Sequence, residues 1–180
     1  MKLFENRAFA LLCTVLIVCG STVMNVDRHV EKRADKIEEV WEAKYGVEEK
    51  LEERCSNASQ LWSILQKYDT LSEAANRLRA AYNALYDTDM DCDEAHRLFT
   101  FNEELSAAAE NAIAEAGNAS LSRDDREWSE RYYSNMVNAQ RVLENAEYHE
   151  AQREFARMLD TPYLRILRPF YDDDLPQEFA

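Results

Sequence analysis

The sequence predicts an all-α chain: an N-terminal transmembrane helix followed by an elongated up-and-down four-helix bundle. Three observations predict it. Residues 8–26, AFALLCTVLIVCGSTVMNV, run nineteen residues without a charge. As a helix rising about 1.5 Å per residue they span roughly 28 Å, close to the ~30 Å hydrocarbon core of a bilayer. All three prolines, Pro162, Pro169 and Pro176, fall in the last nineteen residues, and beyond residue 26 the only glycines are Gly46 and Gly117. A β-rich domain of this size needs many more turn residues, so the intervening stretch, rich in Ala, Glu, Leu, Arg and Gln, reads as helix. Its apolar residues recur mostly at steps of three, four and seven, which places them on one face of a helix.

The apolar run comes first in the chain. Ala8, Phe9, Leu11, Leu12, Val15, Leu16, Ile17, Val18 and Val23 supply the lipid-facing surface of the expected anchor. Three readings compete. The run is an uncleaved signal anchor, a secretory signal cleaved after Ser21, or a lipoprotein signal ending at Cys19. Length favours the first, because a cleaved apolar core usually runs only about 7–15 residues. Leu16-Ile17-Val18-Cys19 lacks the small residue that a lipobox places before its cysteine. Lys2 and Arg7 precede the run, whereas Arg28, Lys32, Arg33 and Lys36 follow it. Positive-inside counting leans toward a cytoplasmic C-terminal domain.

Residues 27–160 form the expected helical domain, and residues 161–180 a proline-containing acidic tail. The chain has 180 residues and a formal charge of −14, from 35 acids and 21 bases. Such a surface is repelled by phosphate backbones, which argues against nucleic-acid binding. Of the four cysteines, Cys13 and Cys19 lie in the apolar run, leaving Cys55 and Cys92 in the domain. Their spacing fits no zinc pattern, and a bridge between them requires an oxidising compartment.

The first helix of the domain is expected to continue out of the anchor to about Tyr68, with Gly46 weakening the stripe and marking a bend or a close helix contact. Its stripe includes Val30, Ile37, Trp41, Val47, Leu51, Cys55, Ala58, Leu61 and Leu65. The second helix runs from about Thr70 to Tyr86, with a capping box of Thr70 and Glu73, and the join to the first is either a turn or a slight kink. The acidic connection DTDMDCD follows. A third helix covers about residues 94–116, with Gly117 as its C-terminal cap. The fourth starts near Ser122, carries Asp124, Asp125 and Glu127 at its positive end, and stops at Thr161-Pro162. Its polar stretch around residues 148–153 predicts a less buried end.

The run Glu53-Arg54-Cys55-Ser56-Asn57-Ala58-Ser59-Gln60-Leu61-Trp62-Ser63-Ile64-Leu65-Gln66-Lys67-Tyr68 resembles the first-helix motif of the LemA family, approximately RRxDLIPNLVxxVKGYA. Arg54, Leu61 and Tyr68 coincide with that motif, and Trp62 and Leu65 keep its apolar places. Val40, Val47 and Leu51 fall in phase upstream, as do Leu78 and Ala81 downstream. Tyr148, Ala151 and Phe155 retain part of the family's C-terminal YNxAVxxYN pattern. Glu53, Ser56, Ser59, Gln60, His149 and the pair Thr70-Leu71 depart from it, so the resemblance is to a divergent member. It implies a bacterial membrane protein with one membrane helix, a four-helix bundle and no catalytic residues.

The remaining constellations carry little chemistry. Asp87, Asp89, Asp91 and Asp93 alternate, but neither register places glycine and glutamate where a calcium-binding EF-hand loop needs them. His29, His96 and His149 form no zinc pair, and no Glu-x-x-His repeat marks a di-metal bundle. Trp41, Trp62 and Trp128 are expected in the core; an exposed one would point to a partner surface. The sequence thus predicts a non-enzymatic, membrane-anchored scaffold whose partners are the lipid bilayer and a protein. Tyr163, Leu164, Ile166, Leu167, Phe170 and Tyr171 are the expected protein contacts. No cofactor, metal, nucleic acid or specific small-molecule substrate is expected. The alternative is a tethered sensor binding a ligand or ion at the far end of the bundle.

Overall fold

Strong helix formers and the absence of proline before residue 162 favour helix, and helix dominates the described residues. The computed structural model describes residues 7–162 and residue 164. They form α1 (Arg7–Glu42), α2 (Val47–Leu65), α3 (Ser72–Tyr86), α4 (Ala95–Asn118), α5 (Arg123–Glu144) and α6 (Glu147–Leu159). Single 3-10 turns, Asp69–Leu71 and Cys92–Glu94, lead into α3 and α4. No strand occurs among the described residues.

The all-α class and the helical bundle are as the composition demands. Consecutive helices from α2 to α5 reverse through short connections and enclose one core. Packing is most extensive between α2 and α5, then between α3 and α4, then between α2 and α3. Leu51, Leu61, Leu65, Leu78, Leu85, Leu98, Leu105 and Met136 fill this body and are fully buried. The join between α2 and α3 is therefore a turn, not a kink.

Two of the four expected helices are broken. The first stops at Glu42 and resumes at Val47. Tyr45 adopts a left-handed φ of 68°, a conformation costing a non-glycine residue about 1–2 kcal/mol. Its amide is held by Glu49 Oε2 at 2.9 Å. The chain then folds so tightly that a side chain on Gly46 would collide with the carbonyl oxygens of Trp41, Ala43 and Val40. Gly46 thus marks the bend, and close backbone approach requires glycine there, so the two segments are not one rod. The fourth helix breaks at Asn145 and Ala146. Here the last carbonyls of α5 find partners beyond it: Asn145 N–H bonds to Val142 O at 3.1 Å, and His149 Nε2 lies 2.8 Å from Leu143 O.

The breaks lie side by side. Trp41 at the end of α1 meets Tyr148 at the start of α6 edge to face, with centroids 4.9 Å apart. Two long antiparallel rods, α1–α2 and α5–α6, are therefore jointed at one level. α2 and α5 belong to the body, while α1 and α6 form an arm. The expected polar, less buried end of the fourth helix is instead well covered. Tyr148, Gln152, Phe155 and Leu159 are all buried, because every third or fourth residue of α6 faces α1.

Two expected caps are also corrected. Thr70 and Glu73 make no capping box, since the 3-10 turn makes Leu71 the N-cap of α3 and no side chain caps it. Gly117 lies inside α4, which ends at Asn118, and no described glycine has a positive φ. The Ser122 cap of α5 does form, accepting from Asp125 N–H at 3.1 Å.

The backbone of residues 8–26 belongs to α1, but the side chains of Ala8, Phe9, Leu11, Leu12, Val15, Leu16, Ile17, Val18 and Val23 lie outside the described residues. Among the described residues no helix is long and apolar enough to cross a membrane. Tyr163, Ile166, Leu167, Phe170 and Tyr171 also lie outside the description. Leu164, at 3 % exposure, belongs to the core cluster and docks on the chain itself.

Candidate functional site

The least expected chemistry sits inside the body. Arg54 falls on the inward stripe of α2, between Leu51 and Ala58, and is 2 % exposed. Its guanidinium Nη1 donates to the carbonyl of Met136 on α5 at 2.8 Å. Nη2 donates to Ser106 Oγ on α4 at 2.7 Å and reaches Asn102 O at 3.4 Å. No carboxylate among the described residues pairs with it. Burial accordingly pulls its pKa down to about 10, which still leaves it charged at neutral pH. Asn102, fully buried, donates through Nδ2 to Gln140 Oε1 at 2.9 Å. Arg54 Nε and Asn102 Oδ1 are buried without a hydrogen-bond partner among the described residues. A buried cation held by carbonyls and a hydroxyl fixes α2, α4 and α5 in one register, at a cost in desolvation. The residues offer no group that accepts or releases a proton near neutrality.

At the joint, Trp41 carries a second contact. Its indole Nε1 donates to the carbonyl of Met90, in the α3–α4 connection, at 2.6 Å. One side chain thereby links α1, α6 and the α3–α4 hairpin. Residues far apart in sequence converge here, and the stripe alone gave only the burial of Trp41.

At the opposite end of the body, Tyr68 and Asp125 latch two connections together. Asp125 accepts from Tyr68 Oη at 2.6 Å, Lys67 Nζ at 2.9 Å and Ser122 Oγ at 3.0 Å. Tyr68 Oη also accepts from Ser122 N–H at 3.0 Å. These donors, Tyr68 foremost, hold the Asp125 carboxyl down to about 2. Beside the latch, a shallow cavity of about 710 Å³ is lined by Lys67, Asp69, Thr70, Glu115, Asn118 and Ser120, among others.

The thiols are quiet. Cys55 and Cys92 are free and buried. Burial raises both to about 12, so neither is a thiolate at neutral pH. Asp87, Asp89, Asp91 and Asp93 are all exposed, and no cluster of ligating side chains able to hold a metal ion occurs among the described residues. Glu103, Glu104, Glu144, Glu147 and Glu150 face solvent.

The tryptophans divide. Trp41 is core, and Trp62 is half-buried beneath the Arg79 guanidinium, 4.9 Å from its ring. Trp128 departs from the expectation: it is 45 % exposed on α5. It stacks on Tyr132 with centroids 5.7 Å apart, and Arg131 lies 5.1 Å over its ring. An exposed tryptophan stacked on a partly buried tyrosine beside an arginine has the composition of an interface hot spot. The helical stripe gave no warning, since Trp128 and Tyr132 also fit an inward spacing.

No protein-family model matches the chain, no curated protein matches it, and no solved structure matches it.

Proposed function

We propose that the chain is a membrane-anchored, non-enzymatic scaffold that presents a rigid helical body to a protein partner. The observation carrying this reading is the continuity of α1. One 36-residue helix, Arg7–Glu42, contains the uncharged run and carries Trp41 of the core in its last turn. A helix with no flexible linker transmits position, which a tether for a freely diffusing domain does not need. The exposed Trp128, stacked on Tyr132, supports protein recognition at the far end of the body. The LemA resemblance supports a bacterial cell membrane as the location, and the basic residues after the run favour a cytoplasmic body.

The test is extraction and topology. The full chain should stay with membranes through alkaline carbonate, and a cytoplasm-active reporter fused to Ala180 should be functional. Release by carbonate would remove the anchor reading; an active external reporter would invert the topology. Trp128→Ala should reduce recovery of a cross-linked protein partner without altering helicity.

The cavity beside the Tyr68–Asp125 latch favours the second reading, a ligand-binding sensor. Ligand-dependent thermal stabilisation across metals and metabolites would support it.

A further inference from the structure

A cavity of about 590 Å³ opens along the seam between α2 and α3. One wall is a flank of α2, where Glu52, Ser56 and Ser59 recur at steps of four and three. The other wall is Tyr82 and Tyr86, one turn apart on α3. The buried Cys55 also contributes to the lining. Met90, beyond the end of α3, completes it, and its backbone is fixed from outside the seam: its carbonyl accepts from Trp41 Nε1 at 2.6 Å. The packing of the body and the joint therefore set the shape of this cavity in advance.

Its chemistry suits positive charge. The Tyr82 and Tyr86 ring centroids lie 5.7 Å apart with their planes inclined by 41°, and Tyr86 is 62 % exposed. Aromatic faces attract a cation through the ring quadrupole. Among the described lining residues Glu52 is the one carboxylate, and none is basic. Lys50 on the same helix pairs with Glu49 and Glu53, and Arg79 on α3 lies over Trp62. Asp87, Asp89 and Asp91, all exposed, follow closely on Tyr86. Glu48, one turn before Glu52, has its pKa raised first by burial and then by Glu52, Glu42 and Asp91, as expected in a negative local field. These carboxylates do not amount to a metal site, since no group of ligating side chains able to hold an ion occurs among the described residues.

We propose that this cavity binds a small organic ammonium ion, held by the Tyr82 and Tyr86 rings and by the Glu52 carboxylate. An alkylated nitrogen suits it better than a bare inorganic ion, because its apolar surface packs on the rings while its charge stays near Glu52. Ser56, Ser59 and Gln60 supply hydrogen bonds for a hydroxyl on the same ligand. A phosphate carried on the ligand would meet the surrounding carboxylates, which selects a free cation over a zwitterionic lipid headgroup. The site lies in the body and depends neither on the membrane anchor nor on the exposed Trp128.

The test uses the full chain in maltoside micelles, with its tyrosine rings isotope-labelled for NMR. It is titrated with choline and, separately, with dimethylbutanol, the neutral isostere in which carbon replaces the nitrogen. Choline should shift the Tyr82 and Tyr86 ring resonances saturably, and the isostere should bind at least about fivefold more weakly. Tyr86→Leu and Glu52→Gln, both at exposed positions, should each weaken choline binding by about fivefold without changing helicity. No saturable shift, an equal response to the isostere, or binding indifferent to both substitutions would overturn the proposal. Tighter binding of phosphocholine than of choline would assign the cavity to a lipid headgroup and also overturn it. Loss of choline binding with Trp128→Ala would place the cation on α5, with the same consequence.

Discussion

Within the body, α2 is flanked by α3 and α5, and α4 closes the far side. In the arm, among the described residues, α1 packs chiefly on α6. Both regions use the same apolar spacing, and both bury their stripe. The body surrounds a core with four helices. The arm has only the seam between two, and an isolated helical pair is marginal in water. Its cohesion therefore depends on what holds its ends. One end is pinned at Trp41; the other meets whatever surrounds residues 8–26.

The sharpest way to break this comparison is to remove the pin. Trp41→Ala should cost about 3–5 kcal/mol in denaturant unfolding. Hydrogen exchange in α6 should rise well before exchange in α3 and α4. Equal acceleration in all three would show that arm and body are one cooperative unit. Next in size is Gly46→Ala, which forces the joint open against backbone carbonyls and should cost about 2 kcal/mol. Arg54→Met should act in the opposite direction. It removes a buried charge that no carboxylate among the described residues pairs with, so thermal unfolding should show unchanged stability or a gain of about 1–4 kcal/mol. A large loss would mean that the polar core stabilises the body and does not merely set its register.

Much of this was legible in sequence, and the misses share causes. Composition and spacing identified the helices and most of the buried leucines. The joints were readable in principle: the stripe advances six residues from Trp41 to Val47 and five from Leu143 to Tyr148, steps that no single straight helix keeps on one face. Arg54 and Asn102 also hold inward phase, between Leu51 and Ala58 and between Leu98 and Leu105. A polar residue in such a phase is a signal of a buried network. By contrast, the meeting of Trp41, Tyr148 and Met90 depends on how separate helices pack, which no local period encodes. Gly117 shows the limit of composition, since a glycine near a helix end is equally consistent with a cap or a last turn.

Two smaller tests sharpen the picture of the body. Gly117→Ala should stabilise by about 0.5–1 kcal/mol, because the position is helical and a methyl group there meets nothing. Asp125→Asn should flatten the acid limb of the stability profile. The Asp125 carboxyl is depressed from its ordinary 3.8 to about 2. Its contribution is therefore present above the unfolded value and is lost as pH falls toward about 2. The variant should be less stable than the parent at neutral pH and converge with it in strong acid.

The length of α1 beyond residue 26 sets a distance. Residues 27–42 rise about 24 Å along the helix axis before the joint, and the body starts there. The Debye length at physiological ionic strength is about 8 Å. With the uncharged run in a bilayer, the headgroup layer takes up about 5–7 Å of that rise, so the arm holds the acidic body roughly two screening lengths beyond it. A body of that charge then suffers little repulsion from an anionic membrane, while the basic residues at the foot of the arm lie within reach of it. Shortening α1 by two turns should bring that repulsion into play and make membrane retention depend on salt.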